Sequence, residues 1–258
     1  MYGTKKMYWL IVLFMLTAVL AGYGLWLFSE SLRMRWVQKN NGPWAEWLKL
    51  QEHIPYRCGS LGGYELKVDK SYFFFWPTYE GRSDWDKNQG PPPIGCDAKL
   101  SSMPLEAYWP GLSPAGGRPI DLDQRPEHVS IVVESVINRD KWDLILHLTL
   151  NDGRQMQADE YRKDLGLFHF RGSDKYSQGR EVDYYWTVGE GGLISTFIYC
   201  GPIRDKRAEL CKQVLFIPDM QAALTVRYRS DRLGSWKKIT GDVLEFIEKN
   251  SRLKGVRA

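Results

Sequence analysis

From Tyr8 to Phe28 the chain reads YWLIVLFMLTAVLAGYGLWLF, without one charged side chain. About 20 apolar residues are enough to cross the hydrocarbon core of a bilayer as a helix. Tyr8 and Trp9 stand at one end, Trp26 and Phe28 at the other, and aromatic rings favour the two bilayer interfaces. A helix buried in a soluble core ordinarily keeps a polar stripe, and this segment has none. The expectation is an anchor over residues 1–28. A cleaved signal peptide is the rival reading, with Lys5 and Lys6 as its charged start and Val19-Leu20-Ala21 as its cleavage site. Against it, the apolar run continues through Leu25, Trp26, Leu27 and Phe28. Tyr23 follows Leu20-Ala21-Gly22, where a bacterial lipoprotein signal would carry its lipidated cysteine, so lipidation is not expected.

Flanking charge does not orient this helix. Lys5 and Lys6 precede it, and Arg33, Arg35 and Lys39 follow it, so the positive charge that marks the cytoplasmic side is nearly balanced. The cysteines decide instead. Cys58, Cys96, Cys200 and Cys211 form neither a CxxC pair nor a Cys/His cluster with zinc spacing. Four cysteines allow three pairings; their order along the chain suggests Cys58–Cys96 and Cys200–Cys211. Disulfides persist in oxidising compartments such as the periplasm. The expected location is the inner membrane, single-pass, with the C-terminal domain in the periplasm.

After the anchor the sequence suggests a helical linker over 29–57 and a disulfide-bearing β-rich domain over 58–258. Ser29 to Asn41 continues the helix out of the membrane, Gly42-Pro43 breaks it, and Pro43 suits the first turn of a short helix, WAEWLKLQEHI. Tyr64 to Tyr79 reads as an aromatic strand or hairpin. Gly81 to Gly117 reads as loop because of Pro91-Pro92-Pro93, Pro104, Pro110 and Pro114, and its length makes it either functional or pinned by Cys96. Strands are expected over 129–137, 142–150, 193–199, 213–217 and 222–229, from β-branched runs and period-two alternation. Trp236, Ile239, Val243, Phe246 and Ile247 recur at helical spacing and mark an amphipathic closing helix. The fold class is α+β: mostly antiparallel β-sheet with a few flanking helices, plus the N-terminal membrane helix.

Chemistry is sparse. Gly111-Leu112-Ser113-Pro114-Ala115 resembles a degraded nucleophile elbow, but Pro114 opposes the helix such an elbow needs. His53, His128, His147 and His169 belong to no HExxH motif, and no glycine-rich phosphate loop is present. His169 reads as a strand residue facing out. Asp121-Leu122-Asp123 reads as a turn rather than a metal site, and Asp159, Glu160 and Asp164 are interleaved with Arg162 and Lys163 as on a solvated surface. The net charge of +4 is spread along the chain, unlike the clustered basic face of a nucleic-acid binder. No catalysis, cofactor, metal or nucleic-acid partner is expected.

The C-terminal third runs from Cys200 through Cys211 into VLFIPDMQAALTVRYRSDRLGSWKKITGDVLEFIEKN. A Cys-flanked strand, a strand ending in Tyr/Arg, then Leu233, Trp236 and Ile239 opening a terminal helix resemble periplasmic immunity proteins of bacterial type VI secretion, of the phospholipase-effector type. The resemblance covers about 60 residues plus the anchor, rests on packing positions, and transfers no site residue. It implies an inhibitor that binds a protein toxin, of lipase class, in the periplasm. A cell-envelope hydrolase or a structural component of an envelope machine are the alternatives. Interface cores favour Trp, Tyr and Arg, so the candidate partner-binding residues are Tyr79, Arg82, Trp85, Tyr108 and Trp109, while Phe73, Phe74 and Phe75, lacking alternation, are expected to be buried.

Overall fold

The computed structural model describes residues 49–50, 53–81, 95–118, 125–136, 158–173, 181–189, 194–202 and 209–254. The chain divides into two units, Met1–Ile54 and Pro55–Ala258. Of the first, Lys49 and Leu50 are helical; the expected membrane segment, most of the linker and the expected strand over 142–150 lie outside the described residues. No described helix is long and apolar enough to cross a membrane.

In the second unit a hairpin opens the chain. Strand β1 (Tyr56–Leu61) pairs with β2 (Tyr64–Asp69), and β13 (Ser251–Leu253) adds to β2, giving a small antiparallel sheet. The large sheet is built from β3 (Thr78–Tyr79), β4 (Leu100–Tyr108), β5 (Ser113–Pro114), β6 (His128–Ser135), β7 (Glu160–Arg162), β8 (Leu167–Ser173), β9 (Glu181–Val188), β10 (Ile194–Pro202), β11 (Glu209–Ile217) and β12 (Ala222–Arg229). Its order is β3-β4-β6-β12-β11-β10-β9-β8-β7, with β5 on β4, and every pair is antiparallel. One helix, α1 (Trp236–Lys249), follows β12 after a 3-10 stretch at Ser230–Ser235.

Period-two alternation splits each strand between two faces. On β12, Leu224, Val226 and Tyr228 join the core that α1 covers with Trp236, Ile239, Val243 and Ile247. Those four side chains stand at the helical spacing read from the sequence. Burying each is worth about 1.5–3 kcal/mol. The opposite face carries a second cluster of Val182, Tyr184, Trp186, Phe197 and Ala223. Rings stack across its strands: Phe168 on its register partner Trp186 at 5.9 Å, Phe170 on its partner Tyr184 at 6.0 Å, and Tyr184 on Phe197, a diagonal neighbour, at 6.1 Å.

Both suggested disulfides are present. Cys200 and Cys211 face each other on β10 and β11, with Cα atoms 4.0 Å apart. Cys58 on β1 joins Cys96, with Cα atoms 4.8 Å apart. The loop-like reading of 81–117 is corrected: β4 and β5 occupy its second part. Pro104 sits inside β4, opposite Val132 of β6. On the other flank β3 pairs only with Leu100 and Ser102, and β5 only with Ala107 and Tyr108. A residue without an N–H is tolerated in that open stretch.

A buried polar chain ties α1 to the sheet. The Tyr228 hydroxyl donates to Gln213 Oε1 (3.1 Å), Gln213 Nε2 donates to Thr240 Oγ1 (2.5 Å), and Thr240 Oγ1 donates to the Trp236 carbonyl (2.7 Å). Burial pushes the Tyr228 phenol far above its ordinary range. An unfolded tyrosine loses its proton near pH ~10. Above that pH the unfolded state therefore binds fewer protons than the folded one. Stability should then fall by up to about 1.4 kcal/mol per pH unit. Tyr228→Phe should flatten this alkaline slope while costing about 1 kcal/mol at neutral pH through the lost hydrogen bond. Urea midpoints of both chains across the alkaline range check it; parallel slopes would sink the assignment.

Candidate interaction surfaces

The outer rim of the large sheet concentrates polar chemistry. Register places Glu160 of β7 beside His169 of β8, His169 beside Tyr185 of β9, and Arg171 beside Asp183. His169 lies between two carboxylates, with Nδ1 3.2 Å from Glu160 Oε1 and Nε2 2.8 Å from Asp183 Oδ1, and its ring stacks on Tyr185 at 4.7 Å. Its strand placement is as read, but its ring is mostly covered, because the stack and both neighbouring strands enclose it. Arg171 Nε reaches Glu181 at 3.5 Å and Asp183 at 3.6 Å. Arg162 makes a fork with Asp164, at 3.1 and 2.8 Å, and those hydrogen bonds hold the Asp164 carboxyl below its ordinary range. Burial, then the Asp183 charge, pushes the Tyr185 phenol up. Between Glu160 and Arg162 stands Tyr161, 52% exposed. Its ring meets Phe168 edge-on at 5.1 Å, and Phe168 rests on Trp186.

A second surface is the turn after β2. Asp69 caps a 3-10 turn, Lys70–Tyr72, by accepting from Ser71 N (2.8 Å) and Ser71 Oγ (2.5 Å). These hydrogen bonds hold its carboxyl below the ordinary range. Tyr72 donates to the Leu112 carbonyl (2.9 Å) and packs 4.9 Å from the Phe246 ring. Phe73 packs partly on the core, and Pro77 is buried. Between these fixed points Phe74, Phe75 and Trp76 project, 41%, 62% and 40% exposed. The expected burial of Phe74 and Phe75 is therefore corrected. Without alternation the segment forms no strand, and a tip held only at its two ends leaves its middle outside the core. Arg57 covers Trp76, its guanidinium carbon 3.9 Å from the ring centroid, and Lys67 lies 3.8 Å from that of Tyr56.

The residues singled out from sequence are dispersed. Arg82 and Trp85 lie outside the described residues. Tyr79 is buried and donates to the Cys58 carbonyl (3.0 Å). Tyr108 ends β4 half-buried, accepting from Arg125 and lying 5.3 Å from the His128 ring. Trp109, 8% exposed, donates through Nε1 to Asp242 of α1 at 2.8 Å, with Arg232 over its ring at 5.5 Å. It belongs to the core because β4 delivers it there, which a loop reading hides. Ser113 sits in β5, and the described residues that follow it, 115–118, are not helical.

One polar cluster escaped the sequence reading. On β4 and β6, Ser130 Oγ donates to Glu106 Oε1 (3.1 Å) and His128 Nε2 lies 3.2 Å from Glu106 Oε2, all three residues buried. Only the strand character of 100–108 would have aligned them. The carboxylate takes the hydroxyl on one oxygen and faces the imidazole with the other, whereas in a hydrolytic serine site the imidazole itself accepts the hydroxyl proton. Among the described residues no group of three or more His, Cys, Asp or Glu is placed to hold a metal ion.

No family model matches the chain, and no curated protein matches it. Two solved structures are similar. One is an immunity protein of the Stenotrophomonas maltophilia type IV secretion system, at 16% identity and a TM-score of 0.49, covering 77% of this chain and 94% of that one. The other is the iron-regulated outer membrane lipoprotein FrpD of Neisseria meningitidis, at 10% identity and a TM-score of 0.36, covering 76% and 93%. Likeness at this level carries no functional residue across, and the role has to be argued from the surfaces themselves.

Proposed function

We propose that this chain is a membrane-anchored immunity protein whose periplasmic domain binds and neutralises a secreted antibacterial protein effector. The observation that carries the reading is the rim around Tyr161. At this edge of the sheet an exposed aromatic ring, backed by Phe168 and Trp186, stands on one face, and Glu160, Arg162, His169 and Arg171 line the other. Interfaces combine aromatic anchors with polar groups that fix orientation, and this edge presents both. Tyr and Arg dominate interface centres, and the internal ion pairs hold the polar groups in place before a partner arrives. Inhibition by binding needs no reactive residue. The finer parts of the proposal are an effector of lipase class, type VI delivery, and the inner-membrane anchor over residues 8–28. They rest on the C-terminal packing pattern and on the uncharged N-terminal run.

The test is to co-express the full chain with the effector encoded beside it and to measure both complex formation and survival. A stable complex and loss of toxin activity are expected. Tyr161→Ala should weaken binding by at least about tenfold, the 1.4 kcal/mol expected of a modest hot spot. Absence of a complex, with cells no more sensitive when the chain is deleted, would remove the immunity reading in favour of an envelope enzyme or a structural component.

A further inference from the structure

We propose that the Phe74–Phe75–Trp76 tip is a membrane contact that seats the globular unit on an anionic bilayer surface. Three consecutive large aromatic side chains are exposed there, and Phe74 meets Phe75 edge-on at 4.5 Å. Phe74 and Phe75 offer no side-chain hydrogen-bonding group, unlike the polar sheet edge at Glu160, Arg162 and His169. A protein partner recognises orientation through such polar groups. A bilayer interface asks only for apolar bodies at headgroup depth, with Trp and Phe among the side chains that insert there.

Charge favours the same occupant. Arg57 lies on Trp76, Lys67 on the neighbouring Tyr56, and Lys70 begins the 3-10 turn that leads into the tip. Asp69, the carboxylate next to Lys70 in the chain, accepts two hydrogen bonds from Ser71. Basic residues beside an anionic surface add electrostatic attraction to apolar insertion. Chain geometry adds a third argument. The globular unit begins at Pro55, and Arg57, two residues later, covers Trp76. The tip thus packs against the first residues of the unit, and the uncharged run over residues 8–28 precedes those residues in the sequence. On the anchor reading of the proposed function, a chain tethered through that run keeps the globular unit at high effective concentration near the bilayer, so a weak contact suffices.

The experiment uses the full chain reconstituted with phosphatidylcholine vesicles, with and without phosphatidylglycerol, containing lipids brominated near the headgroup. The difference in fluorescence between the wild-type chain and Trp76→Phe isolates Trp76. Its emission should be quenched by the brominated lipid and shielded from acrylamide, more strongly with phosphatidylglycerol present. The double variant Phe74→Ser/Phe75→Ser should lose both effects while keeping both disulfides and an unchanged near-ultraviolet dichroism spectrum. A Trp76 open to acrylamide and untouched by brominated lipid in both mixtures overturns the proposal. So does shielding that arises only when a protein effector is added, which would make the tip a protein contact. Neither result bears on whether the chain forms a complex with an effector, so the immunity reading is judged separately.

Discussion

Replacing Gly62 by alanine is expected to destabilise the domain by about 2–5 kcal/mol, from a left-handed backbone penalty of about 1–2 kcal/mol and an overpacking cost of about 1–3 kcal/mol. Gly62 and Gly63 form the tight turn between β1 and β2, with φ of +53° and +87°. A two-residue hairpin turn of this hand needs positive φ at both central positions. Gly62 carries a second constraint. A Cβ there would lie 1.9 Å from the Met220 carbonyl oxygen, in the turn between β11 and β12. Backbone cannot yield as a flexible side chain does, so the hairpin must move away from the large sheet. Gly63 has open space beside it, and Gly63→Ala should cost only the backbone penalty, about 1–2 kcal/mol. Urea midpoints of the two variants, compared at constant slope, separate the contributions. Equal losses would mean that the approach of Gly62 to Met220 does not constrain the fold.

Removing the disulfides should cost comparable amounts in a defined order. Cys58 and Cys96 are 38 residues apart, Cys200 and Cys211 only 11. On a chain-entropy account the longer loop is worth about 4 kcal/mol and the shorter about 3 kcal/mol. The shorter bridge also lies in the core that α1 covers, so alanine is the substitution that leaves no buried hydroxyl behind. Cys58→Ala/Cys96→Ala should therefore lose slightly more stability than Cys200→Ala/Cys211→Ala, as read by denaturant unfolding without reductant. Peptide mapping of the oxidised chain should recover the same two pairs. A loss under about 1 kcal/mol for either double variant would place the pairing in doubt.

Both bridges were legible because they join cysteines that follow each other in order, and the shorter loop sits between two strands with clear β patterning. The strands β6, β11 and β12 and the helix α1 were legible for a related reason. Val129 to Val133, Gln213 to Ile217 and Ala222 to Arg229 are rich in β-formers, and Trp236, Ile239, Val243 and Ile247 return at helical spacing onto one buried face. The candidate surfaces were less legible. Trp109 and Tyr79 combine the right chemistry with the wrong depth. Tyr161 was hidden in a mixed charge run, and the rings that back it, Phe168 and Trp186, lie on other strands.

What the amino-acid sequence determined by itself is whatever depends on near neighbours: the antiparallel β character of the second half, the closing helix and the cysteine pairs. Tertiary structure alone decided which aromatic rings face water. Prolines made 81–117 look like a loop, yet β6 holds 100–108 as a strand, because pairing on one flank leaves room for Pro104 on the other. That strand carries Trp109 under α1, where Asp242 receives its N–H. Phe74 and Phe75, equally apolar, are held outside, because Phe73 and Pro77 take the inward positions on either side of them. Hydrophobicity sets how strongly a side chain favours burial; whether it is buried depends on which partners the sheet order brings to it from far along the chain.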